Sequence, residues 1–259
     1  MRPDHTAWDP VRNICTPVRT HPLAPGARRA ELVDAAGGDQ ERLRGFVARR
    51  CSGEPLAWLV GSVRFCAETV LVRPGVYVPR RQSEPLALEA AARLPADGIA
   101  VDLCTGAGAI AVILSRRRPM ARVVASQIDP VAAGCARTNG IEVYEGDMAA
   151  SLPDTLAGQT DVVTAVVRYV PSSELRLLAR DVMAFGPRGA LDGGKDGTRF
   201  LVRAIEDGAH LLHAGGSLLL ELGGDQVDLL APVLAENGYH NMDLLVDEDG
   251  DARGVCCRR

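Results

Sequence analysis

From about residue 97 onward, short apolar runs alternate with stretches whose apolar positions recur every three or four residues. The runs predict strands near 100–104, 122–127, 141–144, 161–167, 216–222, 241–246 and 253–257. The helical spacing predicts helices near 109–118, 130–138, 172–183, 197–212 and 225–237. Alternation of this kind gives an α/β fold, a doubly wound, mostly parallel seven-stranded sheet with helices on both faces. Ligands of such sheets bind beyond the carboxyl ends of the strands, where the strand order reverses. Upstream the pattern differs. Residues 1–25 are rich in Pro, Arg and His without a period and read as a flexible arm. From Arg28 to Arg50, Leu32, Val33, Leu43, Phe46 and Val47 fall at helical spacing on either side of Gly37-Gly38, which predicts two short helices. The stretch VRFCAETVLVRPGVYVP (63–79) alternates apolar and polar residues around Pro74-Gly75 and predicts a hairpin. The expected division is an arm at 1–25, a small helical cap with a hairpin at 26–96, and the sheet domain at 97–259.

Composition narrows the function classes. Hydrophobic residues make up 47% of 259 with few aromatics, so a large core of Ala, Val and Leu is available. The formal net charge of −4 gives no whole-molecule field toward nucleic acid or an anionic membrane, and neither is expected as a partner. Lys195 is the only lysine, a bias we read as genomic. Seven cysteines (Cys15, Cys51, Cys66, Cys104, Cys135, Cys256, Cys257) show no paired C-x-x-C spacing, so thiols rather than zinc or redox centres are expected. No apolar run reaches ~18 residues, and the first residues lack a signal-type stretch; the expectation is a cytoplasmic protein. His210 and His213 lie one helical turn apart without a third ligand, and Arg116–Arg118 suit a helix C-terminus, so no metal is expected.

The chemistry concentrates after the strands. VDLCTGAGAIAVIL (101–114) is an apolar strand running into a glycine turn that opens a helix; Gly106 and Gly108 let backbone approach a ligand, and the helix start offers free N–H groups. Asp102, four residues before the first glycine, favours S-adenosylmethionine over a dinucleotide, because a methionine ammonium needs an acidic or carbonyl environment rather than a phosphate cradle. VYEGDMAASLP (143–153) places Asp147 past the third strand of the sheet, where a carboxylate can accept from an adenine amino group. After the second strand, in VVASQIDP (123–130), a ribose-binding carboxylate is replaced by Gln127, which accepts and donates without charge; charge-assisted bonds are about twice as strong, so donor affinity is expected to suffer. Asp129 either compensates or caps the next helix.

These blocks carry a resemblance. GEPLAWLVGSVRF (53–65), VYVPRRQSEPL (76–86), VDLCTGAGAI, VYEGDM, FGPRGALDGGKDGTRFLVRAI (185–205) and GGSLLLELGGDQ (215–226) occur in the order and spacing of the protein-(glutamine-N5) methyltransferases of the HemK/PrmC type. The similarity runs from about Arg49 to the C-terminus. It implies a class I S-adenosylmethionine-dependent methyltransferase fold with a short N-terminal helical cap and β-hairpin, and S-adenosylmethionine as cofactor. The candidate donor-binding residues are then Asp102, Cys104, Gly106, Gly108, Gln127, Asp147, Met148 and Val166. The cap is shorter than in the release-factor enzymes, which makes a release factor an unlikely partner.

One stretch, TAVVRYVP (164–171), departs from the resemblance. The family ends its fourth strand in N-P-P-Y or N-x-P-Y; aligned on Tyr169, this chain has Val166, Val167 and Arg168 there. An amide nitrogen is a poor nucleophile, and the asparagine oxygen and a neighbouring carbonyl aim it at the sulfonium methyl. Val166 has no acceptor, so one amide hydrogen would lose its partner at about 1–3 kcal/mol, and turnover would fall ~10²–10³-fold. Arg168 near a cationic sulfonium fits three readings: it pairs with an anionic group of a different substrate, it swings outward from a vestigial pocket, or it is a solvent-facing loop arginine. Gln82, Ser83 and Gly186 have also drifted from the family's acid, threonine and glutamate. The expectation is methyl transfer to a small acceptor that can be anionic, in specialised metabolism, with Arg168 and Tyr169 as catalytic candidates. The alternative is a catalytically degenerate binding or scaffold module.

Overall fold

The computed structural model describes residues 25–177, 185, 191–223, 225–247 and 249–259. The arm at 1–24 and the second half of the helix expected at 172–183 lie outside the described residues; over its first half the chain makes turns and a single 3-10 turn at Leu175–Leu177.

Helices α1 (Pro25–Ala36) and α2 (Gln40–Cys51) break at Gly37-Gly38 as the sequence predicts, and Asp39 caps α2 by accepting from the Glu41 and Arg42 N–H groups. A short α3 (Leu56–Val60) follows. Leu32, Ala36, Phe46 and Leu59 form a small core of their own. The hairpin is real, but its turn is not at Pro74-Gly75. Strands β1 (Ser62–Phe65) and β2 (Glu68–Leu71) turn at Cys66-Ala67, both left-handed at φ 48° and 65°. That conformation matches the twist of paired strands, and Pro74-Gly75 forms a second, non-strand bend. Helix α4 (Glu84–Arg93), unforeseen in the sequence reading, then packs Leu86, Ala87, Ala90 and Ala91 on the main core.

The sheet comprises β3 (Ile99–Leu103), β4 (Arg122–Gln127), β5 (Glu142–Glu145), β6 (Thr160–Ala165), β7 (Leu212–Glu221), β8 (His240–Val246) and β9 (Ala252–Arg258). Its order is β5-β4-β3-β6-β7-β9-β8, with β3 to β7 parallel and β9 antiparallel to both neighbours. Apolar residues point to both faces of the central strands because both faces are covered. Helices α5 (Ala109–Arg117) and α6 (Pro130–Thr138) pack with α4 on one face. Helices α7 (Arg199–Leu211) and α8 (Gln226–Glu236) cover the other. Chain order runs outward from β3 in one direction to β5 and then reverses through β6, so the carboxyl ends of β3 and β6 flank the switch point. No helix among the described residues is long and apolar enough to cross a membrane.

Asn139 at the end of α6 joins the hairpin to the glycine turn. Its Oδ1 accepts from the Leu71 N–H at 2.8 Å, and its Nδ2 donates to the carbonyls of Leu71 and Ala107 at 2.9 Å each.

Candidate active site

Asp102 sits at the switch point, 1% exposed, between β3 and β6. The Thr164 hydroxyl donates to its Oδ1 at 2.7 Å and the Thr105 hydroxyl to its Oδ2 at 2.5 Å. Burial raises its pKa to about 6 against the pull of those two hydroxyls. Gly106 follows at φ 60° with nothing within 4 Å of where a Cβ would stand, so its backbone faces open space. Gly108, at φ 84°, packs on Ala136 and Ile141 instead. The first residue of this turn is Cys104, held at φ 57° in the left-handed region that favours glycine, a strain of about 1–3 kcal/mol. Its thiol donates to the Met148 thioether at 3.2 Å, and Met148 is left-handed too, at φ 56°. Burial pushes the Cys104 thiol up to about 12, so it is a packed, unreactive thiol.

Gln127, at the end of β4, turns its Oε1 to the Asp129 N–H at 3.1 Å. That bond occupies the amide oxygen, so the group still without a described partner is the NH₂ donor. Asp129 does not compensate: its Oδ1 caps α6 by accepting from the Val131 and Ala132 N–H groups. Between the two, Ile128 is apolar and 56% exposed at a strand end. An exposed isoleucine beside the crevice suits the face of an aromatic base, and the apolar residue following a polar strand end was the available sequence signal.

Asp147 opens the loop after β5 and is not free. Arg203 of α7 forks onto it, Nη2 to Oδ2 at 2.9 Å and Nη1 to Oδ1 at 3.3 Å. Two residues on, the Ala149 N–H donates to Asp207 at 3.1 Å.

On the acceptor side, β6 ends at Ala165, two residues earlier than the pattern predicts. Val166 packs toward the α4–α6 face and Val167 toward the α7–α8 face. The Arg168 guanidinium lies 3.9 Å from the centroid of the Phe200 ring at the start of α7. Among the described residues no carboxylate pairs with it. Its charge nevertheless reaches Asp192, which lies below the ordinary carboxylate range chiefly because the Ser172 hydroxyl and the Gly194 N–H donate to it. Among the described residues, Arg168 thus meets the Phe200 ring and no carboxylate.

Tyr169 is committed elsewhere. Its hydroxyl donates to Glu221 Oε1 at 3.0 Å. Gln82 Nε2 donates to Glu221 Oε1 at 3.0 Å and to the Tyr169 hydroxyl oxygen at 2.9 Å, and the Ser83 hydroxyl donates to Glu221 Oε2 at 2.5 Å. Glu221, at the end of β7, is 3% exposed. Burial and then the nearby Glu221 charge hold the Tyr169 phenol well above its usual pKa, so it is no base near neutrality. Gln226 completes the frame: its Nε2 donates to the carbonyls of Tyr169 and Asp196, and its Oε1 accepts from the Gly223 N–H. A Cβ at Gly197 would collide with the Tyr169 carbonyl oxygen. Gln82, Ser83 and Glu221 stand inside the recognisable blocks, yet their joint role depends on contacts between residues 138 and 139 positions apart. His213 lies in β7 rather than on α7, and its Nε2 meets Asp161 Oδ1 at 3.1 Å.

The switch-point crevice, with its open Gly106, buried Asp102 and exposed Ile128, fits a class I S-adenosylmethionine-dependent methyltransferase, and the comparisons agree. A crystal structure of ribosomal protein L11 methylase from Lactobacillus delbrueckii subsp. bulgaricus superposes with TM-score 0.51 at 18% identity, covering 74% of this chain and 84% of that one. No family model matches the chain. Among curated proteins, the release factor glutamine methyltransferase of Geobacter sulfurreducens is 32% identical over 82% of this chain and 76% of its own length. The 4-amino-L-phenylalanine/4-methylamino-L-phenylalanine methyltransferase of Streptomyces pristinaespiralis is 36% identical over 74% of this chain and 69% of its own. The chain belongs to the release factor glutamine methyltransferase (HemK/PrmC) family. Its cofactor is S-adenosylmethionine.

Proposed function

We propose that the protein transfers the donor's methyl group to a small acceptor that carries an anionic group, rather than to a release-factor glutamine. One observation carries this reading: beside the crevice, an arginine without a carboxylate partner among the described residues lies on Phe200, while the position that would grip an amide is the hydrocarbon Val166. Bound S-adenosylmethionine supplies an electrophilic methyl group on a sulfonium. The Gly106 turn and Asp102 hold the donor's methionine end, Ile128 and Asp147 its adenine, and the Gln127 amide donates to its ribose. Cys104 and Met148 shape the floor through their sulfur contact. Arg168 orients the acceptor's anion, and an amine or oxygen nucleophile needs no asparagine to activate it, so proximity supplies much of the rate. Tyr169 fixes the wall through Glu221 and moves no proton. A relative in the same family named for an amino-acid substrate supports an acceptor of this size.

Donor binding tests the enzyme reading against that of a binding module. In the free protein, Asp102 has a folded pKa of about 6, above its unfolded value. Its protonated form therefore contributes stability that is present below pH ~4 and is lost as pH rises toward ~6. A bound ammonium favours the ionised carboxylate, so donor affinity should move the opposite way. Calorimetry with S-adenosylhomocysteine is expected to show affinity rising through pH ~5–7 by about tenfold and to lose that rise in Asp102→Asn. No binding at millimolar ligand contradicts the enzyme reading.

A further inference from the structure

Met148 occupies a left-handed backbone position, φ 56°, and is 1% exposed. A strained non-glycine residue persists only where its surroundings over-determine it. Here both flanks are held by one helix. Arg203 forks onto the Asp147 carboxylate before it, and Asp207 accepts the Ala149 N–H after it. Together with Phe200 these residues fall at i, i+3 and i+7 on α7, which is one face of a helix. Phe200 carries the Arg168 guanidinium.

We infer that Arg203 is a positioning residue for the donor: by engaging one edge of the Asp147 carboxylate, it aims the remaining lone pairs at the adenine amino group and so sets the preference for adenine over a 6-oxopurine. A carboxylate has about four acceptor sites and the fork occupies two, which leaves room for an amino donor. A 6-oxopurine presents a carbonyl oxygen to the same carboxylate, and two acceptors facing each other are unfavourable. Without Arg203 the Asp147 side chain, 44% exposed, has no other described partner and is free to rotate. The inference rests on the proposed role of Asp147.

The test compares two ligands by calorimetry: S-adenosylhomocysteine and its inosine counterpart, in which the amino group is replaced by oxygen. Wild-type protein is expected to prefer the adenine ligand by about tenfold or more. Arg203→Gln should weaken adenine binding by about tenfold while leaving the inosine ligand nearly unchanged, so that the preference shrinks by the same factor of about ten. Arg203→Lys, which keeps the charge without the fork, should fall between. A merely structural role would weaken both ligands equally and leave their ratio intact, which would overturn the inference, as would tighter adenine binding in Arg203→Gln. Asp147→Asn separates the two layers. If the preference survives that change, the assignment of Asp147 to adenine is wrong; if Asp147→Asn abolishes it and Arg203→Gln does not, only the Arg203 role is wrong.

Discussion

Arg168→Gln is expected to lower kcat/KM for a carboxylate-bearing acceptor by about 10²-fold while leaving donor affinity equal or slightly improved. The magnitude follows from the geometry. Two charge-assisted bonds from one guanidinium contribute about 1.5–3 kcal/mol each before solvent competition, and about 1.4 kcal/mol is a factor of ten. The opposite sign for the donor follows from charge. A guanidinium near the crevice raises the potential felt by a sulfonium, so its removal costs the donor nothing. The variant should fold normally, because the stacking on Phe200 is worth only about 0.5–2 kcal/mol. Steady-state kinetics on an acceptor and on its neutral methyl ester provide the check. Wild-type protein should distinguish the pair and Arg168→Gln should not. An equal drop for acid and ester would mean that Arg168 supports the fold of the pocket rather than the charge of the substrate.

Glu221→Ala carries the second large effect, this time on stability. The carboxylate is 3% exposed and accepts from Gln82, Ser83 and Tyr169. Its removal orphans three donors, each at a cost of about 1–3 kcal/mol when no replacement partner is near. Water entering the vacated space offsets part of this, so a net loss of about 3–5 kcal/mol is expected. For a chain of this size that corresponds to a fall in Tm of roughly 10 °C. Glu221→Gln retains an acceptor oxygen and should lose about half as much. Thermal melts of the two variants decide the point; a fall of under about 2 °C for the alanine variant would show that the network contributes little. Because the network joins the 81–83 turn to the end of β7, its loss should also loosen the hairpin from the sheet.

The centre of the sheet was legible because its strands are buried on both faces. Runs such as Ile99–Leu103 and residues 217–221 are apolar enough to identify without partners, whereas the first residues of β7 carry no such run. The hairpin turn was misplaced because Pro-Gly is the louder signal, whereas Cys66 and Ala67 take left-handed conformations without an Asn or Gly to mark them. Helix α4 has local signals of its own, an acidic first turn and a Pro at its start in EPLALEAAAR, but its run of small alanines gives only a weak apolar stripe. At the site, the residue types after each strand could be identified from sequence, but their engagements could not. Gln127 has its oxygen occupied, Asp129 caps a helix, Asp147 is forked by an arginine 56 positions away and Tyr169 is bound to a glutamate 52 positions away. The Asp129 cap is local and stood open in the sequence, whereas the Asp147 and Tyr169 contacts are decided by which distant neighbour the fold brings into hydrogen-bond range, which local pattern does not contain.

The destination of the methyl group tests the central claim most directly. Purified protein is given donor labelled in its methyl group, together with a bacterial peptide-release factor and a small amine bearing a carboxylate, and label is counted separately in protein glutamine and in the small-molecule fraction. If the proposed acceptor class holds, label is expected in the small amine and none above background in the release factor, because Val166 offers no acceptor for an amide hydrogen. Sustained labelling of the release-factor glutamine, with the small amine untouched, would contradict it.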